Sequence, residues 1–255
     1  GRYGNAGHRR HDAIDQDSGG TAHAVQGEGG IVAGAILEAT AIGLQGANGN
    51  AVIIGQAVFR RVGEHQGRGT RSRLVGGVFG DAADVDGVLS ASLAPARVDD
   101  AMNAVAMSNA RKLADALDYV GVFALELFCR DGELLANELA PRVHNSGHWT
   151  IEGSETSQFQ NHLRAVLGLP LGDTRMLGVA CMLNWIGAMP DAAPVLGEAS
   201  GHWHDYGKEP RAGRKVGHAT LRAESADELA GALQRVGDAL GRQAQVAPVI
   251  ARLRG

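Results

Sequence analysis

Asn137-Glu138-Leu139-Ala140-Pro141-Arg142-Val143-His144-Asn145-Ser146-Gly147-His148-Trp149 is the stretch on which the reading of this chain turns. It follows an apolar run and gathers a carboxylate, an arginine, two histidines and two asparagines around one proline and one glycine. A surface loop that collects so many different hydrogen-bonding groups is arranged to meet a ligand. Arg142 comes directly after the rigidifying proline, and its planar fork suits a carboxylate or a phosphate, although a surface salt bridge would use the same residue. His144 and Asn145 either position a small polar ligand or satisfy the loop's own backbone. Trp149 is expected to pack beneath the loop.

Upstream lies Gly121-Val122-Phe123-Ala124-Leu125-Glu126-Leu127-Phe128, a strand-like run interrupted by one acid. Arg130-Asp131-Gly132 separates it from a second strand-like run, and a three-residue hairpin loop favours glycine at its last, left-handed position. In that register Glu126 stands opposite Ala136 and Glu138 is its diagonal neighbour on the same face. Two carboxylates so placed can share a hard cation, since magnesium takes few protein carboxylates together with phosphate oxygens. A two-residue Asp131-Gly132 turn would put the acids on opposite faces, so the metal reading depends on the longer loop.

Past Ser90 the pattern is mixed α/β (α+β). Val98-Asp99-Asp100 caps a helix to about Leu117, with Met102, Val105, Ala106, Leu113 and Leu117 on one apolar stripe. Ser154 or Thr156 begins a second helix through Leu167, ended by Gly168 and Pro170. Gly178 to Leu183 reads as a strand, followed by a turn-rich segment from Asn184. Lys215 to Leu221 reads as another strand, and Ser225-Ala226-Asp227-Glu228 caps a last helix to about Leu240. A change of domain is expected between Leu171 and Gly178.

With 255 residues, 44% of them hydrophobic, and a formal charge of −4, the chain can bury one or two sizeable cores. The slightly acidic balance argues against a nucleic-acid partner. The sequence has no apolar run long enough for a membrane span and no secretory signal pattern, so a cytoplasmic location is expected. Cys129 and Cys181 each sit in an apolar run and are read as buried thiols. The ten histidines show no zinc-site spacing with the cysteines.

From about Gly87 to Leu240 the chain resembles the 5-(carboxyamino)imidazole ribonucleotide synthases, ATP-grasp carboxylases of purine biosynthesis. The matching words are Gly87-Val88-Leu89, Ser92-Leu93-Ala94-Pro95, Asp118-Tyr119-Val120-Gly121-Val122, Glu126, and Asn137 through Trp149. They continue with Ser157-Gln158-Phe159, His162 to Val166, Leu169-Pro170-Leu171, His204 to Glu209 and Arg211 to His218. The resemblance implies an ATP-grasp C-terminal part over 87–173 and a small C-terminal lobe over 174–255. It implies phosphorylation of bicarbonate by ATP, then carboxylation of the amine of 5-aminoimidazole ribonucleotide, with ADP and phosphate released. By the same resemblance Glu126 and Glu138 hold Mg2+, Asn137 and Glu138 face the nucleotide, and Arg142, His144 and Asn145 meet bicarbonate or ribonucleotide. Lys208, Arg211, Arg214 and Lys215 form a dense basic cluster that would receive the ribonucleotide phosphate. A homodimer is implied. The alternatives are a related formate-using purine transformylase, or a non-functional fragment that lacks the ATP site.

Residues 1–86 do not match. Gly1 to Ser90 holds 20 of the 37 glycines and none of the prolines, tryptophans or methionines, and lysine is absent until Lys112. An ATP-grasp enzyme needs lysines at the nucleotide phosphates and a glycine-containing loop over them, and neither is present before Gly87. Asp84 stands roughly where the family has a histidine. The expectation is that 1–86 is an out-of-frame translation or otherwise non-native sequence, the alternative being an independent small domain. Translating the encoding DNA in all frames tests it. Apolar runs such as 31–37 and 51–54 are consistent with helix or strand.

Overall fold

The structure, a computed structural model, describes residues 51–62, 71–85, 88–96, 98–130 and 132–255, and for 51–62, 71–85 and 130 the backbone alone. The reading that falls on 31–37 lies outside the described residues.

Eight strands form one antiparallel sheet: β1 (Ala51–Val62), β2 (Arg71–Val85), β3 (Val88–Ala94), β4 (Gly121–Arg130), β5 (Glu133–Ala140), β6 (Val179–Gly187), β7 (Gly201–Asp205) and β8 (Arg211–Ala223). Their spatial order is β5-β4-β1-β2-β3-β6-β8-β7. The undecided run at 51–54 is therefore strand, and Asp84 lies in β2 opposite Leu89.

Helix α1 (Asp100–Ala116) begins where expected, with the Asp99 carboxylate accepting from the Met102 N–H at 2.7 Å. Its buried stripe is Ala106, Ala110, Leu113 and Ala114, whereas Val105 and Leu117 are about half exposed. The expected stripe is thus rotated, because the small alanines, not the larger residues, let the helix approach β4. Phe123, Leu125 and Leu127 of β4 pack on that stripe. Val122 faces the other way, against Ala165 of α3 (Gln158–Val166). A strand covered on both faces reads as a continuous apolar run, and the alternation sends Glu126 to the side away from α1.

The helix expected from Ser154 or Thr156 is split. A single turn, α2 (Thr150–Gly153), ends where the Ser154 hydroxyl meets the carbonyls of Thr150 and Thr156. Ser157 then caps α3 by accepting from the Gln160 N–H at 3.3 Å. β6 runs on through Asn184 to Gly187, past the turn expected there, because β8 pairs with it along that length. The second large core lies on one face of β3, β6 and β8. It is built from Leu93, Cys181, Leu183, Trp185 and Leu221 with α5 (Ala226–Leu240) and α6 (Gln243–Arg254). Burying a leucine or tryptophan there contributes about 2–3 kcal/mol each. Ser225 caps α5 as expected, while β7, the short α4 (Ala193–Leu196) and α6 were not foreseen. Cys181 is buried and Cys129 partly so, both as free thiols.

Candidate active site

The Glu126/Glu138 hairpin does not have the expected register. Arg130 pairs with Glu133, so the loop is the two-residue one, with Gly132 at φ 81°. Leu127 pairs with Ala136, but Glu126 pairs directly with Glu138, so Asn137 is an extra residue on β5. This β-bulge reverses the facing of everything after it. Leu134 and Ala136 pack toward α1 before the bulge and Leu139 does so after it. Glu138 is thereby turned to the face of Glu126. The acids converge as expected, through a bulge instead of a longer loop.

His144 joins them. Its Nδ1 lies 3.3 Å from Glu126 Oε1 and its Nε2 3.8 Å from Glu138 Oε1, and one donor atom from each of the three residues lies within 4.8 Å of the others. Asn137 Nδ2 donates to Glu126 Oε2 at 3.3 Å. Two carboxylates suit Mg2+, whereas a neutral imidazole is a poor ligand for it. The acids are therefore the fitting pair, with His144 at their edge.

The loop holds His144 rigidly. Gln158, at the start of α3, accepts from the His144 N–H at 2.9 Å and donates to the His144 carbonyl at 2.8 Å. The same side chain reaches His148 Nδ1 at 2.9 Å, and the Ser146 hydroxyl lies 2.8 Å from His144 Nδ1. Burial lowers the pKa of His144, with Glu138 opposing and Arg142 and Lys215 reinforcing the shift. Burial also pushes His148 down to about 4, helped by the charge of His144. His148 is therefore neutral near pH 7, and His144 is shifted toward its neutral form. Trp149 is buried against Ala94, Ala180 and Met182 beneath the loop, as expected.

Arg142 is exposed and donates to the Val143 carbonyl at 2.9 Å, with its charge acting on His144. The basic cluster divides. Lys215 is half-buried and its charge reaches both His144 and His148. Lys208 Nζ sits 5.0 Å above the Tyr206 ring. Arg214 rides a bulge between the pairs Gly187–Arg211 and Ile186–Lys215, where Gly213 takes φ 71°, and bonds the Glu209 carbonyl at 3.3 Å. Arg211 is exposed opposite Gly187 on the edge of the ladder. Lys208 and Lys215 are thus brought toward the loop, while Arg211 lies exposed at the bulged end of the ladder.

Asn184, Tyr206 and His218, given no role by sequence reasoning, lie beneath the loop around Asn145. Asn184 and Asn145 exchange amide hydrogen bonds of 2.9 and 2.8 Å, and the Tyr206 hydroxyl lies 2.8 Å from His218 Nδ1. No local spacing marks these residues, since strand register alone unites them.

Residues 80–159 match the ATP-grasp domain family, and residues 180–232 match the phosphoribosylaminoimidazole carboxylase C-terminal domain. Over 121 residues the chain is 60% identical to the N5-carboxyaminoimidazole ribonucleotide synthase of Pseudomonas aeruginosa, covering 48% of this chain and 34% of that one. Over 145 residues it is 52% identical to the Vibrio vulnificus enzyme of the same name, covering 57% and 38%. From about residue 80 onward, this chain resembles the N5-carboxyaminoimidazole ribonucleotide synthases. The solved Thermus thermophilus synthetase overlays with a TM-score of 0.67 at 48% identity, over 74% of this chain and 50% of that one. An Aspergillus clavatus synthase, solved with ADP and the aminoimidazole ribonucleotide, overlays with a TM-score of 0.64 at 33% identity, over 75% and 52%. The fold is the mixed α/β ATP-grasp fold of these structures. The chain spans about a third of the length of the curated relatives it matches. Among the described residues, no helix is long and apolar enough to cross a membrane.

Proposed function

We propose that this chain carries the metal- and ribonucleotide-handling part of an ATP-dependent carbon-nitrogen ligase. That enzyme carboxylates 5-aminoimidazole ribonucleotide with bicarbonate in purine biosynthesis. The observation that supports it most is the convergence of Glu126, Glu138 and His144 within 4.8 Å beside Arg142 and Lys215. Glu126 and Glu138 would hold Mg2+, which neutralises nucleotide phosphates as charge moves between them. Asn137, bonded to Glu126, faces the same place. Arg142 is the cation for bicarbonate, and neutral His144 is placed to accept the proton that the amine loses on carboxylation. The Gln158 side-chain amide clamps the His144 backbone and so fixes the peptide that carries the ring. Lys208, Lys215 and Arg214 would meet the ribonucleotide phosphate.

The tail match over 180–232 supports the carboxylase over a formate-using relative. Division into 87–173 and 174–255, a cytoplasmic setting and a homodimer belong to the same proposal. For the dimer, α3 and the turn after it offer Phe159, Leu163, Val166 and Leu167 on one exposed apolar stripe. Calorimetric titration of the chain with 5-aminoimidazole ribonucleotide tests the reading. Saturable binding weakened at least about tenfold by Lys215→Ala supports it, and no binding at millimolar ligand overturns it.

A further inference from the structure

Asn184, His218 and His204 stand in one cross-strand row. Asn184 of β6 pairs with His218 of β8, which pairs in turn with His204 of β7. Directly opposed residues share a face, and this face is the one on which Ala180 and Met182 pack against Trp149 of the loop. His204 stacks on His218 with ring centroids 4.2 Å apart and is held from outside by Glu152, 2.6 Å from its Nε2.

The hydrogen bonds of the row have a definite sense. Asn145 Nδ2 donates to Asn184 Oδ1 at 2.9 Å and to the Tyr206 hydroxyl at 3.4 Å. Asn184 Nδ2 donates to Asn145 Oδ1 at 2.8 Å and to the Leu89 carbonyl at 3.0 Å. Both amino groups are thus fully used. Tyr206, accepting from Asn145, is left to donate to His218 Nδ1 at 2.8 Å. Gln245 of α6 holds the strand from the far side, donating to the carbonyls of Asn184 and Ser90 at 3.0 and 2.8 Å. Asn184, His218 and Gln245 are all buried, so these bonds form away from water, where an amide pair is costly to break.

From this network we propose that Asn184 and Tyr206 are positioning residues that act through Asn145. They engage its amino group within the protein and present its remaining carbonyl lone pair, and the His144 peptide, in one fixed orientation. The functional half of this inference rests on the carboxylase reading, in which that loop meets the substrate amine. The structural half does not.

The test has two arms, both on the whole chain. In the first, nitrogen-15 spectra record exchange of the Asn145 side-chain amide protons with solvent. Exchange at least about tenfold slower than for an exposed asparagine is expected, rising to the exposed rate in Asn184→Ala. Tyr206→Phe, which keeps the ring and removes only the hydroxyl, should give an intermediate rate, and it serves if Asn184→Ala does not fold. In the second arm, the dissociation constant for 5-aminoimidazole ribonucleotide is measured in Asn184→Ala, Asn145→Ala and the double variant. If Asn184 acts through Asn145, its loss weakens binding at least about fivefold alone and not further once Asn145 is alanine. Additive losses would mean that Asn184 merely supports the sheet, and would overturn the proposal. An Asn145 amide that already exchanges freely in the unaltered chain would overturn it as well. If the ribonucleotide does not bind at all, the carboxylase reading fails, and slow exchange would still uphold the amide lock.

Discussion

At the scale of single residues, charge and burial separate roles that residue type alone leaves mixed. Glu126 is nearly covered and Glu138 is half exposed, yet both turn to His144. Glu138→Gln keeps the shape and removes the charge, so Mn2+ affinity measured by electron paramagnetic resonance should fall at least about tenfold while Tm barely moves. Unchanged affinity would remove Glu138 from the metal site. The buried histidines make a second expectation. Burial holds His148 at about 4 and His218 at about 3, with His204 adding to both shifts. In the unfolded chain both titrate near ~6.5. Between those values the unfolded state binds more protons, so their stabilising effect is full above pH ~6.5 and is lost as pH falls toward 4 and 3. The slope approaches ~1.4 kcal/mol per pH unit for each ring. Urea midpoints should therefore drop steeply from pH 7 to pH 4.5, and His218→Gln should flatten that drop. A variant with the parent's slope would show that His218 is not held neutral.

At the scale of elements, one inserted residue breaks the simple alternation of β5. Asn137 stands outside the ladder between Ala136 and Glu138, so deleting it leaves Glu138 opposite Glu126 and on the same face. The Asn137 deletion should then keep Mn2+ affinity within about tenfold of the parent, losing one hydrogen bond to Glu126, with strand content by circular dichroism retained. Affinity lost more fully than in Glu138→Gln would mean that the bulge itself is needed to aim the acid. The same element shows what was legible beforehand. The apolar run of β4, the glycine of the turn and the two acids were readable as a hairpin on which the acids converge. The bulge was not, because an extra residue leaves no mark in a local pattern and shows only as a change in which leucines face α1. The α1 cap at Asp99 and the α5 cap at Ser225 were legible because a cap is a short-range bond between neighbours in sequence. The Asn184–His218–His204 row was illegible for the opposite reason, since its members meet only after β6, β7 and β8 have paired. The basic cluster was readable as a group, and the fold ranks its members. Lys215→Ala and Lys208→Ala should weaken the ribonucleotide at least about tenfold, while Arg211→Ala should change it less than about twofold.

At the scale of the whole molecule, the question is whether one chain holds everything a triphosphate needs. The described cations near the carboxylates are Arg142 and Lys215, with Lys208 beyond them over Tyr206. Those residues suit a small anion and a monophosphate. A triphosphate carries several negative charges at neutral pH, and one divalent cation shared by two glutamates offsets little of that. Phosphoryl transfer relies almost wholly on positioning and on cationic or backbone donors around the β- and γ-phosphates. The family match begins at residue 80, and no lysine precedes Lys112 in this sequence. The 255-residue polypeptide should therefore bind 5-aminoimidazole ribonucleotide yet release no ADP in response to it, measured by coupled assay with bicarbonate and Mg2+ in excess. Adding the N-terminal and central parts of a relative to residues 87–255 should bring ribonucleotide-dependent ADP release back, and Glu138→Gln should abolish it again. ADP release from the unaltered chain would contradict this account, and would require residues 1–86 to supply an ATP site of a kind not seen in the sequence words of the family.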